Sequence, residues 1–294
     1  MEIFGVPSQA LFGQLLIGLI NGSFYALLSL GLAVIFGLLN IINFTHGAQY
    51  MLGAFCAYLL LNKLGIGYWW SLALAPIIVG ITGVIIERTM LSKLYKLDHL
   101  YGLLLTFGLA LIIQGLFRNE FGSSGLPYRI PQELQGAQNL GFMFLPNYRA
   151  WVIVVSLVVC LATWYVIEHT KLGAYLRAAT ENPQLVQAFG INVPRMITLT
   201  YGFGVALAAF AGVMAAPIYQ VNPLMGADLI IVVFAVVVIG GMGSIMGAIV
   251  TGFGLGIIEG LTKVFYPEAS NTVIFVIMAI VLMFKPAGLF GTQK

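Results

Sequence analysis

Charge is what this sequence has least of. Lysine and arginine number 13 and aspartate and glutamate 10 among 294 residues, 8% of the chain, against about a quarter in a soluble domain. With 60% hydrophobic residues and a mean hydropathy of +1.00, water is not its main solvent. Cysteine is nearly missing: Cys56 and Cys160 both lie inside apolar runs, which excludes a disulfide framework or a CxxC metal site. The small net charge of +3 comes with no basic run, so nucleic acid is not an expected partner. The first residues, MEIFGVPSQALFG, lack a basic n-region, and no cleaved signal peptide is expected. HExxH, GxSxG and a Ser/His/Asp set at one membrane depth are absent as well. So is GxxxxGK[ST], and the chain is therefore not expected to be an enzyme or to hydrolyse ATP itself.

What is present is apolar sequence in long stretches. Segments fall at about 9–39, 47–61, 69–86, 100–117, 150–167, 196–216, 228–262 and 272–284. A span needs about 20 apolar residues, so 9–39 and 228–262 exceed one ordinary crossing. The first is interrupted by Asn21, Gly22 and Ser23, the second by Gly240-Gly-Met-Gly-Ser244. The expectation is an all-α polytopic membrane protein forming one transmembrane domain over 1–294. About eight or nine transmembrane helices are expected, including broken or re-entrant segments. Irregular backbone at membrane depth is tolerated only where it is buried in protein or lines a cavity.

Polar connections fall at 87–99, 118–149, 168–195 and 263–271. Arg88, Lys93 and Lys96 mark the first; Lys171, Arg177 and Arg195 mark the third. Two spans separate them, so both lie on one side, and short basic loops favour the cytoplasm. The 118–149 segment, longer and scattered with Gly, Pro and Asn, reads as an extracytoplasmic loop.

Several residues are candidates for a role. Ala248, Gly252, Gly256 and Gly260 repeat every fourth position, a ridge that lets helix backbones approach; Gly18, Gly22 and Ala26 make a shorter one. Glu259 is ionisable within an apolar run, which is costly in lipid and points to function. Lys263, four residues on, offers an ion pair instead. Asp228, after Pro223 and Gly226, suits a helix cap. In Asn40–Gln49, the side chains of Asn43, Thr45, His46 and Gln49 gather where the first run ends. They serve either to cap the next helix or to line a solute pathway. Gly240, Gly241, Gly243 and Ser244 break a second run in a comparable way, and paired broken helices point to a pathway, though glycine clusters also arise by chance.

The stretch LRAATENPQLVQAFGIN, 176–192, is polar between two greasy neighbours. Asn182 suits an N-cap with Pro183 at the first helical position, and Gly190 suits a left-handed stop. These frame a short helix, 183–189, with Leu185, Ala188 and Phe189 on one face. So short a helix does not hold alone in water and needs a partner surface.

The spacing Gly173-x3-Arg177-Ala178-x3-Asn182 followed by Ala188-x-Gly190-Ile191-x3-Arg195 resembles the cytoplasmic coupling loop of ABC importer permeases. The branched-chain amino acid importer subfamily resembles it most. The likeness continues through NGSFYALLSLGLAVIFGLLNIINFTHG (21–47), IER (86–88), VIGGMGSIMGA (238–248) and KPAGLFG (285–291). Arg177-Ala178-Ala179 stands where the broader family has Glu-Ala-Ala, so no role carries over from that glutamate to Arg177. The resemblance implies a multi-pass subunit of a bacterial inner membrane importer for branched-chain or related amino acids, with urea, short amides or small carboxylates as alternative cargoes. Its partners would be a second related permease subunit, two cytoplasmic ATPase subunits that hold ATP and magnesium, and a periplasmic solute-binding protein. This chain would bind no cofactor. The residues 168–195 would dock on the ATPase through Arg177, Ala178, Asn182, Pro183, Leu185, Ala188, Phe189, Gly190 and Ile191. An ion-coupled secondary carrier, working without an ATPase, is the rival class.

Overall fold

The computed structural model describes residues 2–3, 6–39, 42–95, 97–141 and 143–291; Asn40 and Lys96, named above, lie outside the described residues. The helices are α1 (Ser8–Leu39), α2 (Thr45–Leu64), α3 (Tyr68–Thr89), α4 (His99–Phe121), α5 (Asn147–His169), α6 (Lys171–Glu181), α7 (Pro183–Ala188), α8 (Val193–Tyr219), α9 (Met225–Gly240), α10 (Ile245–Phe265) and α11 (Val273–Phe284). Two small antiparallel hairpins, Glu2–Ile3 with Val6–Pro7 and Ala137–Asn139 with Phe144–Pro146, are the strands among the described residues.

Among the described residues six helices are long and apolar enough to cross a bilayer: α1, α3 with the turn after it, α4, α5, α8 and α10. The shorter apolar helices α9 and α11 supplement them. The 20-residue α2 is not among them: Thr45, His46 and Gln49 near its start and Asn62 and Lys63 near its end lower its hydropathy. The outer faces of α3, α4 and α5 expose Ile77, Ile81, Leu111, Leu116 and Val158. Such faces suit a hydrocarbon solvent.

Contacts gather into two compact units. One comprises residues 1–29, 130–161 and 232–294, the other residues 30–129 and 162–231. In the first, α1 and α10 run against each other through small residues. A methyl added at Gly252 would lie 2.6 Å from Ala26 Cα, one at Gly260 would lie 3.0 Å from Gly18 Cα, and one at Gly256 would meet the backbone of Gly18 and Gly22. In the second unit α8 lies between α2 and α3. Gly212 abuts the Tyr50 backbone, Gly53 the Ala209 backbone, and Gly83 the Val205 side chain. Ile35, Val79, Leu91, Tyr201, Val205 and Ala209 form its buried core.

The expected interruption of the first apolar run at Asn21-Gly22-Ser23 does not occur, since α1 is continuous through it. Gly22 admits the neighbouring backbone at Phe253, Asn21 donates to Glu259, and the Ser23 hydroxyl returns to the Leu19 carbonyl at 2.9 Å. Each polar or flexible group has a reason compatible with a helix. The 228–262 run does break, giving α9 and α10. Asp228 does not cap α9: the helix starts at Met225, and Asn222 Oδ1 accepts from Leu224 N at 2.9 Å just before it.

Candidate functional site

The polar insert 168–195 folds as two helices. The Asn182 side chain accepts from Leu185 N at 2.9 Å and Pro183 opens α7. Gly190, at φ 83°, ends the turn in the left-handed region that disfavours a side chain. Phe189 stands just past the last helical residue as its C-cap. The helix is held from beneath by a residue that periodicity alone did not single out. Val186, 7% exposed, packs with Ala179 and Val193, and Ile191, Met196 and Ile197 close the cluster. Leu185 and Phe189 point the other way, 54% and 78% exposed, and Ala188 is exposed with them.

A second helix, α6, underlies this one. Arg177 Nη1 donates to the Ile167 carbonyl at 3.0 Å and pairs with Glu168 Oε2 at 3.2 Å. Gly173 meets the same carbonyl so closely that a Cβ has no room. Arg177 therefore ties α6 back to the end of α5, while Ala178 is exposed beside it. The Asn192 side chain then accepts from Arg195 N at 3.0 Å and starts α8. The insert is a buttressed platform that presents two large apolar side chains to its surroundings.

Asn43, Thr45, His46 and Gln49 come together in the second unit, all fully buried. Asn43 Oδ1 accepts from Thr45 N at 3.1 Å, and Asn43 Nδ2 donates to Gln49 Oε1 at 3.4 Å. The Thr45 hydroxyl leaves its own helix and donates to the Thr106 carbonyl of α4 at 2.8 Å. Tyr201 faces Asn43 and Gln49. Its hydroxyl interacts with those two side chains, yet at ordinary hydrogen-bond geometry neither it nor Gln49 Nε2 has a partner among the described residues. A buried polar atom left so costs about 1–3 kcal/mol, and water or a solute group would relieve that cost. The capping role is thus shared: Asn43 engages the first turn, whereas Thr45 bridges helices.

Gly240, Gly241, Gly243 and Ser244 lie in the first unit as the reversal between α9 and α10. Gly241 and Gly243 take φ of 105° and 82°, and Ser244 Oγ accepts from Gly247 N at 3.1 Å. The chain end closes over them, with Leu289 N donating to Ile239 O at 2.8 Å and Phe290 N to Gly240 O at 3.0 Å. Their glycines serve a tight turn and a close approach.

Glu259 is buried and held by three donors: Tyr25 hydroxyl at 2.6 Å, Asn21 Nδ2 at 3.3 Å and Lys263 Nζ at 2.5 Å. The ion pair foreseen with Lys263 is present as one part of a clamp between α1 and α10. Ala248 and Gly252 are buried on the same helix.

Glu87, within the IER motif, is the residue that sequence reasoning passed over. It is 2% exposed. Tyr95 donates to its Oε1 at 2.5 Å and Thr198 to its Oε2 at 2.7 Å. One carboxylate thereby joins the end of α3, the turn after it and the start of α8. Burial, then the hydrogen bond to Glu87, push the Tyr95 phenol well above its ordinary value.

Continuous apolar helices with lipid-compatible outer faces make this a multi-pass membrane protein. The chain belongs to the family described as the permease component of branched-chain amino acid transport systems, whose pattern matches residues 14–282. It is 30% identical to the high-affinity branched-chain amino acid transport system permease protein LivH of Escherichia coli K12, over 96% of each chain. It is 31% identical to BraD of Pseudomonas aeruginosa, the permease protein of the corresponding system there, again over 96% of each. LivM of Escherichia coli, another permease protein of that system, is 27% identical over 92% of this chain and 68% of its own. No solved structure matches the chain.

Proposed function

We propose that this chain is the transmembrane subunit of an ATP-driven importer in a bacterial inner membrane. It pairs with a second related permease subunit to carry branched-chain or related amino acids. The observation that carries the ATP-driven part is the exposure of Leu185 and Phe189 on a platform anchored by Val186, Arg177 and Gly173. Two large apolar side chains together at the tip of a polar insert mark an interaction surface, and a short helix seated in a groove is a common docking mode. The partners are two cytoplasmic ATPase subunits that hold ATP and magnesium, and a periplasmic solute-binding protein selects the cargo. The names of the relatives support the amino acid reading.

The pathway runs past Asn43, Thr45, His46 and Gln49, whose neighbourhood holds the unpartnered Gln49 and Tyr201 groups. Gly240, Gly241, Gly243 and Ser244 act as a fixed corner for α9 and α10. Proteoliposomes containing this chain, its permease partner and the ATPase pair should take up labelled leucine, isoleucine or valine. Uptake should require ATP inside, binding protein outside and an intact ATPase. Uptake by the permease alone that collapses with an uncoupler would instead establish an ion-coupled carrier.

A further inference from the structure

Where the end of α3 meets the start of α8, a cleft of about 610 Å³ opens, walled by Arg88, Ser92, Tyr95, Arg195, Thr198 and Leu199 among others. Its hydrogen-bond donors separate into two kinds. Tyr95 and Thr198 donate to Glu87, and the Ser92 hydroxyl donates to the Arg88 carbonyl at 2.9 Å. The first-turn amide of Arg195 is taken by Asn192. Only the guanidinium groups of Arg88 and Arg195 remain, and among the described residues neither is in an ion pair or a side-chain hydrogen bond. Glu87 lies in the same wall, yet it is almost wholly buried and both its oxygens are engaged. The cleft therefore presents two unneutralised planar forks, which match an oxyanion such as phosphate.

The remaining wall decides which phosphate. Val84, Ile197 and Leu199 line the cleft, Leu199 is 69% exposed, and Ile85 beside them is exposed too. Arg88 belongs to the last turn of α3 and Arg195 to the first turn of α8. The ends of membrane-spanning helices fall near the lipid headgroups, where basic pockets between spans bind anionic lipids. We propose that the Arg88–Arg195 cleft binds the phosphate of an anionic phospholipid, with its acyl chain lying along the exposed apolar wall of α8. This requires only that the chain spans a membrane and is independent of the cargo.

The test uses the permease assembled with its ATPase, incubated in vesicles of equal parts phosphatidylglycerol and phosphatidylcholine. After extraction, retained lipid is counted by native mass spectrometry. Wild type should retain phosphatidylglycerol over phosphatidylcholine by about thirtyfold, given roughly 1 kcal/mol for each of the two arginines near the surface. Arg88→Gln/Arg195→Gln should lose that preference, and Arg129→Gln should keep it. A double variant that prefers phosphatidylglycerol as strongly as wild type does, or no preference in wild type, would overturn the proposal. Displacement of the lipid by millimolar inorganic phosphate would identify a free-anion site instead. A double variant that keeps its lipid but sheds the ATPase would make the cleft a protein interface.

Discussion

Gly256 of α10 lies against the backbone of Gly22 of α1, so close that a Cβ on Gly256 would collide with Gly22 Cα. Gly254, on the same helix, has nothing within 4 Å of the place a Cβ would occupy. The pair separates a packing effect from a helix-propensity effect. Gly256→Ala should lower the melting temperature of the purified permease, with overpacking of about 1–3 kcal/mol, and Gly256→Ile should reduce its yield. Gly254→Ala should be neutral or slightly stabilising, because Ala favours helix. Equal melting of all three variants would place the ridge against lipid rather than α1.

The Tyr95–Glu87–Thr198 junction gives a pH signature. The folded protein holds the Tyr95 proton more tightly than the unfolded chain does, its pKa being raised from 10.0 by burial and by Glu87. The contribution is fully present below that ordinary value. Above it, unfolding releases a proton, and stability falls as pH rises. Denaturation midpoints of wild type and Tyr95→Phe should therefore converge between neutral pH and about pH 11. Parallel curves across that range would remove Tyr95 from the junction. Thr198→Val leaves Glu87 short of one donor and should weaken solute-stimulated ATP hydrolysis more than it weakens assembly.

Cysteine at position 45, 46 or 49 tests the polar core. All three side chains are fully buried in this structure, so a membrane-impermeant thiol reagent should not reach them here. If they line the pathway, nucleotide or binding protein should open them, and labelling should rise in that state only. Inaccessibility in every state would leave Asn43 and Thr45 with hydrogen-bonding roles between helices and no more. The native Cys56 and Cys160 would first be replaced by serine or alanine.

Local signals in the sequence revealed α7 well and Glu87 not at all. Asn182, Pro183 and Gly190 act within a few residues of themselves, so their effect is written in the sequence around them. Glu87 sits at the edge of an apolar run and looks like a loop charge. What makes it a junction is Thr198, 111 residues away, and no spacing rule reaches that far. Asn21-Gly22-Ser23 misled for the same reason. Glycine and asparagine ordinarily weaken a helix, but here α10 supplies both the backbone that Gly22 admits and the carboxylate that Asn21 meets. Val186 was hidden because Leu185 and Phe189 define an apolar face by themselves, and only α6 and α8 reveal that there are two.

That division of α7 sharpens its test. Leu185 and Phe189 face outward and Val186 inward, so three aspartate substitutions on one short helix and its C-cap should separate two consequences. Leu185→Asp and Phe189→Asp place a carboxylate where the ATPase groove should lie. They forfeit about 1.5–3 kcal/mol of apolar burial each and add the cost of an unpaired charge. Insertion and permease pairing should be untouched, while ATPase co-purification and solute-stimulated hydrolysis should fall sharply. Val186→Asp instead puts the charge among Ala179, Val193 and Ile191. It should unseat α7 and expose the platform to protease even in the permease without its ATPase. Gln184→Ala and Gln187→Ala, both at exposed positions, should import at close to the wild-type rate. A Phe189→Asp complex that keeps its ATPase and imports normally would move the docking surface elsewhere on the chain. Equal protease sensitivity of Val186→Asp and Phe189→Asp would show that α7 is not held from beneath.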